Sequence, residues 1–293
     1  MYEDALAGTP GVSAIGVARL HVIATSHPCA CAEAALAVKG LDYRRVELVE
    51  LLHRPVQRLR YGHPTVPGLT LADGEKVIGS VAILRRIDEL VPEPPLYPGD
   101  GEARGRVESA EEWGERVLQN AVRRIEVALF RRSPRALLSY AEASTLPTPR
   151  WLIRVNAPAG VRVYGKLVGA SDEAARADLR ALPGYLDQAD SLIAEGTIGG
   201  EAPNAADLQI GSSIRQLSAI ADLEPLLAGQ SAALARHFPP MVGHVPPGTV
   251  PADWLPSFTA AKRTAEMTKQ ARARRRDPEP CLRTRSTTHE SHS

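Results

Sequence analysis

The sequence predicts an α/β domain followed by an all-helical domain. Three observations carry that reading. Leu20 to Thr25 and Tyr43 to Leu48 are strand-like runs on either side of a helix-favouring stretch from Cys29 to Lys39, and that order makes a βαβ unit. Thr70 and Lys76-Val77-Ile78 flank the turn Asp73-Gly74, a hairpin signal. Ile83, Leu84, Ile87 and Leu90 then recur at helical spacing, and beyond Pro98 the apolar pattern stays helical.

Each element has its own warrant. Ala32, Ala35, Leu36 and Lys39 share one face of the first helix, and Gly40 stands where helices stop. Val46 and Leu48 share a face of the second strand. Leu51 to Tyr61 reads as a short irregular helix interrupted at Pro55. Pro92 to Pro98 is a stiff connector. From Glu102 to Arg131, Val107, Ala110, Trp113, Val117, Leu118, Ala121, Ile125 and Leu129 form a long amphipathic stripe. Pro134 ends it, and Pro147 and Pro149 break the segment after it. Asp172 to Ala194 is a further helix, bent at Pro183. Asn204 and Asp207 have nearly the spacing of a capping box, with Leu208, Ile214 and Leu217 pointing the helix into the core. These two residues are assigned to folding.

The expected organisation is a flexible leader (1–18), an α/β domain (19–98), a helical domain (99–237), a Pro/Gly-rich strap with Trp254 as its anchor (238–261) and a disordered basic tail (262–293). The leader carries Glu3 and Asp4, with no positive flank and no apolar core, unlike a signal peptide.

Composition narrows the function classes. The net charge of +1 argues against a dedicated nucleic-acid binder, although Arg272-Ala273-Arg274-Arg275-Arg276 is locally basic. Cys29, Cys31 and Cys281 do not make a secreted disulfide framework and fit a reducing cytoplasm. No window has the apolar length of a membrane span, so neither membrane nor nucleic acid is an expected partner. His21, His27 and the cysteines lack familiar ligand spacing, and no metal is expected. His53 and His63 read as surface or loop histidines.

Two stretches could carry chemistry. In Thr65-Val66-Pro67-Gly68-Leu69 a proline lies between strand-like runs, so it belongs at a turn or an edge. A cis bond there would expose the backbone of Val66 to an extended peptide, which could pair with it as an added strand. Ser80 opens the next helix, where a hydroxyl and free N–H groups suit a carboxylate. The other stretch is Ser26-His27-Pro28-Cys29, at the start of the first helix. A thiolate held there would feel the helix dipole, and a donating hydroxyl would lower the thiol pKa. Ser26 suits that role and equally suits a plain N-cap. Cys29 suits a small buried apolar role and is the alternative nucleophile.

The order β-α-β-α-β-β-α, the Val66-Pro67 turn, Ser80 and the Asn204–Asp207 box together resemble the glutathione transferases over roughly residues 20–235. The resemblance implies a thioredoxin-like N-terminal domain followed by an all-helical glutathione transferase C-terminal domain. It implies that Val66 and Pro67 hold the cysteinyl backbone of glutathione and that Ser80 takes the γ-glutamyl carboxylate. Ser26 falls where many members place their catalytic Ser or Cys, and Cys29 on the second cysteine of the related redox motif. Two flanking positions depart from the pattern. Thr65 replaces a common Lys or Gln, and Gly79 replaces a common Glu or Gln. The activity implied is conjugation of a thiol peptide to an electrophilic small molecule held against the long helix near Trp113 and Val117. Glutathione is then a co-substrate, with no other cofactor, and a homodimer follows by analogy. The alternatives are a thiol-disulfide or deglutathionylating enzyme acting through Cys29, and a binding module that kept the fold without the chemistry.

Overall fold

The computed structural model describes residues 17–50, 52–147 and 149–256. The chain divides into two units, 1–255 and 256–293, and the described residues fall almost wholly in the first. The basic tail and nearly all of the leader lie outside the described residues, as does the end of the strap. Ala18 already belongs to the first strand.

The α/β domain is built on a four-stranded sheet of order β2-β1-β3-β4. β1 (Ala18–Val22) runs parallel to β2 (Tyr43–Glu47) and antiparallel to β3 (Gly68–Thr70), which pairs antiparallel with β4 (Lys76–Ile78). Between β1 and β2, α1 (His27–Val38) makes the crossover. Its partner on the sheet is α3 (Ser80–Leu90), which buries Ile83, Leu84 and Ile87. Leu20, Val22, Leu36 and Leu69 complete this core.

Between β2 and β3 lies α2 (His53–Tyr61), an uninterrupted helix rather than the broken one expected. Pro55 falls in its first turn, where the N–H has no intrahelical acceptor in any helix. His53 is not a surface residue. It is 7 % exposed, and burial lowers its pKa to about 4. His63 is exposed, with Nδ1 3.0 Å from Thr65 Oγ1.

The helical part begins with α4 (Gly101–Trp113), capped by Asp100, whose carboxylate accepts from Ala103 N at 2.8 Å. A π turn over Gly114–Leu118 joins it to α5 (Gln119–Arg132). The stripe read as one continuous α-helix is therefore interrupted. After α6 (Pro134–Ala141) comes α7 (Arg150–Leu167), a helix the sequence pattern did not announce. Then follow α8 (Asp172–Ala194) and α9 (Ala205–Leu217). Every residue of α9 except Arg215 is buried, as a helix at the centre of a bundle must be. Its start is fixed by a full capping box. Asn204 accepts from Asp207 N at 3.1 Å, and Asp207 accepts from Asn204 N at 3.0 Å and Gly199 N at 2.6 Å. The segment after residue 237 packs on this core through Val245, Val250 and Trp254, with the Arg132 guanidinium 4.4 Å from the Trp254 ring centroid.

Candidate functional site

Strand register brings the two chemical stretches to one end of the sheet. His21 pairs with Gly68, and Gly68 pairs with Ile78. The turn leaving β1, the residues entering β3 and the residues leaving β4 therefore share that end. Gly79 N donates to Pro67 O at 2.9 Å, joining the Val66 turn to the start of α3. The Val66–Pro67 peptide is cis. Val66 makes no backbone hydrogen bond among the described residues, so its N–H and C=O are the groups an extended peptide would pair with. The turn is held from behind. Gln57, wholly buried, donates to Thr65 O at 3.0 Å. Tyr61 Oη lies 2.7 Å from His21 Nδ1 and 2.8 Å from Thr70 Oγ1. Gly68 is required by this packing, since a Cβ there would meet the Tyr61 ring at 2.7 Å.

Ser26 occupies the N-cap position of α1, yet its side chain makes no capping hydrogen bond. Cys29 is 1 % exposed, and burial pushes its pKa up to about 12, an effect that the nearby Ser26 hydroxyl only partly offsets. Such a thiol stays neutral near pH 7, which works against Cys29 as a nucleophile. Cys31 is likewise buried and pushed well up by desolvation, with Sγ donating to Gln209 Oε1 at 3.3 Å.

Ser80 is the first residue of α3 and is 2 % exposed. The first N–H groups of α3 lack intrahelical acceptors, so they and the hydroxyl gather donors at this point. Gly79 has φ 92° and ψ 146°, a region open essentially to glycine alone. A Cβ would meet nothing within 4 Å, so backbone conformation, not space, selects glycine. Gly79→Gln is expected to lower unfolding stability by about 1–3 kcal/mol, read from urea titration. Unchanged stability would mean that the backbone relaxes there at no cost.

Residues 20–95 match the family model of the glutathione S-transferase N-terminal domain. This region is a glutathione S-transferase N-terminal domain. The likeness extends in fold to solved structures. A glutathione S-transferase from Rhodospirillum rubrum F11 has 20% identity and a TM-score of 0.53, over 74% of this chain and 86% of that one. The theta class glutathione S-transferase of Xanthomonas axonopodis pv. citri, solved with glutathione bound, has 16% identity and a TM-score of 0.53, over 77% and 99%. The Tau class enzyme from mango, Mangifera indica, has 16% identity and a TM-score of 0.51, over 87% and 99%. No curated protein sequence matches the chain. The described residues as a whole thus adopt the glutathione S-transferase architecture, a thioredoxin-like domain followed by a helical one.

The helical part of this glutathione transferase fold reaches the Ser26 turn through residues that sequence reasoning passed over. Gln216 Nε2 donates to Thr25 O at 3.0 Å and to Glu126 Oε1 at 2.6 Å. Glu126 is 8 % exposed, and burial raises its pKa to about 7. One turn earlier, Arg123 holds Asn120 Oδ1 at 2.8 Å and helps depress His27 well below its usual range, burial being the larger cause. The wall facing the Ser26 turn is therefore the Arg123–Glu126 stretch of α5, further along the helical run than Trp113 and Val117. One signal was available. Gln209 and Gln216 stand seven residues apart on a helix that also carries Leu208, Ile210, Ile214 and Leu217, so both amides lie on one face and need partners where that face is buried.

Proposed function

We propose that this chain is a glutathione transferase-type enzyme that conjugates a thiol peptide to an electrophilic small molecule. The observation that carries the reading is the Ser26 hydroxyl, which stands at a helix N-terminus without capping it. The Val66 backbone would pair with the cysteinyl residue of the peptide, and Ser80 with the start of α3 would take its carboxylate. The thiol loses its proton to solvent. Ser26 O–H donates to the resulting sulfur anion, and the dipole of α1 favours the same charge. The thiolate then attacks an electrophilic carbon. A carbon–sulfur bond forms, and the bond to the leaving group breaks with its electron pair. Glutathione, or a similar low-molecular-weight thiol, is the co-substrate. A homodimer in a reducing cytoplasm belongs to this proposal by analogy with the family.

The neutral, buried Cys29 makes the disulfide route the weaker alternative. Gly79 supports a different one, a binding module without turnover. With no side chain at Gly79 and a short one at Thr65, glutathione loses two anchors. Exposed contacts of this kind contribute about 0.5–1.5 kcal/mol each, so binding is expected to be weaker than the family norm by roughly tenfold or more. Calorimetric titration with glutathione and with S-hexylglutathione, for wild type and Ser80→Ala, tests this. Measurable binding that weakens in Ser80→Ala, together with turnover of an activated aryl halide, supports the enzyme. Binding without turnover of any electrophile supports the module. No binding at millimolar glutathione removes glutathione as the thiol.

A further inference from the structure

Exposed apolar side chains are usually scattered singly over a protein. Among the described residues, nine of the twelve large ones stand on two segments, Val49 to Leu59 and Trp151 to Leu167. The second segment is α7. Trp151 is 66 % exposed, Val155 70 % and Leu167 56 %, while Leu59 on α2 is 92 % exposed. Both segments are basic. Between residues 143 and 171 the sequence contains no Asp or Glu and has Arg150, Arg154, Arg162 and Lys166. Between 51 and 72 it again has no Asp or Glu and has Arg54, Arg58 and Arg60. Among the described residues no carboxylate pairs with Arg154, Arg162 or Lys166.

Spacing decides how these groups are displayed. At about 100° per residue, an 11-residue offset is three turns, so Arg162 and Lys166 come round to the side of Trp151 and Val155. Apolar and cationic side chains thus alternate along one exposed face. We propose that the exposed face of α7 is a docking face for an anionic lipid surface. Trp, Val and Leu side chains would enter the headgroup boundary, while the long Arg and Lys stems let their charges reach lipid phosphates. A second copy of this chain fits poorly, because a two-fold contact buries the same patch on both copies, and this patch offers cations without a carboxylate to face them. The chain's own last 37 residues fit no better, with nine Lys or Arg against four Asp or Glu. An acidic protein would satisfy the charge, but the side chains here project from the exposed face of one helix, which suits a planar, deformable surface. The earlier expectation of no membrane partner rested on the lack of a spanning segment. No helix among the described residues is long and apolar enough to cross a membrane, and surface docking requires none.

The test is co-sedimentation of the full-length chain with vesicles of phosphatidylcholine alone and with phosphatidylglycerol added. Partition is expected only with the anionic vesicles, falling as salt is raised. A cation near such a surface contributes about fivefold, so the combined Arg154→Gln, Arg162→Gln, Lys166→Gln variant should lose roughly hundredfold. Trp151→Ser should lose roughly tenfold. Circular dichroism and the melting temperature check that each variant is folded. Absence of partition overturns the proposal. So does partition that both variants retain in full, which would assign binding to the terminal Arg run. A dimer in sedimentation velocity that dissociates in Trp151→Ser would overturn it in favour of a second copy. Recovery of vesicle binding only when an acidic protein is added would do the same for a protein partner.

Discussion

Ser26→Ala is expected to slow thiol transfer while leaving the unfolding midpoint unmoved. The two halves of that expectation come from different observations. A hydrogen bond to a charged group contributes about 1.5–3 kcal/mol, so losing it should cost roughly ten- to hundredfold in rate. An N-cap serine would show the opposite pattern, with a stability loss of about 0.5–2 kcal/mol. Ser26 makes no capping bond that could be lost. Rates with glutathione and an activated aryl halide, set beside thermal melts, separate the two roles. Cys29→Ser should matter less, because its thiol is neutral and 1 % exposed. If Cys29→Ser abolishes turnover and Ser26→Ala does not, the disulfide alternative is the correct one.

Glu126→Gln is expected to stabilise the protein, and by an amount that grows with pH. Burial raises the Glu126 pKa from 4.5 to about 7. Between those values the folded state keeps a proton that the unfolded state has released, so stability falls as pH rises through the window. Above pH 7 the loss is complete and amounts to roughly 3 kcal/mol at most. Glutamine cannot ionise, yet its oxygen still accepts from Gln216. The variant and wild type should therefore agree near pH 4.5 and diverge by about 1–3 kcal/mol at pH 8. The difference between the two proteins is the quantity to measure. His27 and His53 have pKa values lowered by burial, and they act in the opposite sense on both proteins. Their contribution is lost as pH falls through their unfolded value. A constant difference across pH, measured by urea unfolding, would show that Glu126 is ionised throughout.

The α/β domain was legible because its signals are local. Alternation, a proline turn, a glycine stop and a hairpin turn each act over a few residues, and each specifies β1, α1, β4 or α3 without distant help. The Asn204–Asp207 box was legible for the same reason. What failed needed knowledge of packing. Pro55 looked like a helix breaker, because first-turn placement depends on where the helix starts. His53 looked like a loop residue, because its burial comes from packing that no local pattern marks. α7 escaped notice for a different reason. It contains Pro158, Gly160 and Gly165 and turns apolar residues outward, so neither propensity nor a buried stripe marks it. The Ser26 turn was readable, but its facing wall was not. Gln216 reaches Thr25 across a sequence separation of 191 residues, and no periodicity encodes such a contact.

The π turn at Gly114–Leu118 shifts the phase of the helical run that contains it. A turn closed by i→i+5 bonds holds one residue more than an α turn. Everything downstream is therefore re-phased by about 100° relative to Trp113. A Cβ at Gly114 would stand 2.9 Å from Ile210, so the run passes close against α9 at the point where its phase changes. Arg123 and Glu126 owe their direction to that extra residue. A related chain lacking it would present different side chains at the same height. Superposing the two by sequence alone would then match Arg123 with a residue one position out of step, on another side of the helix.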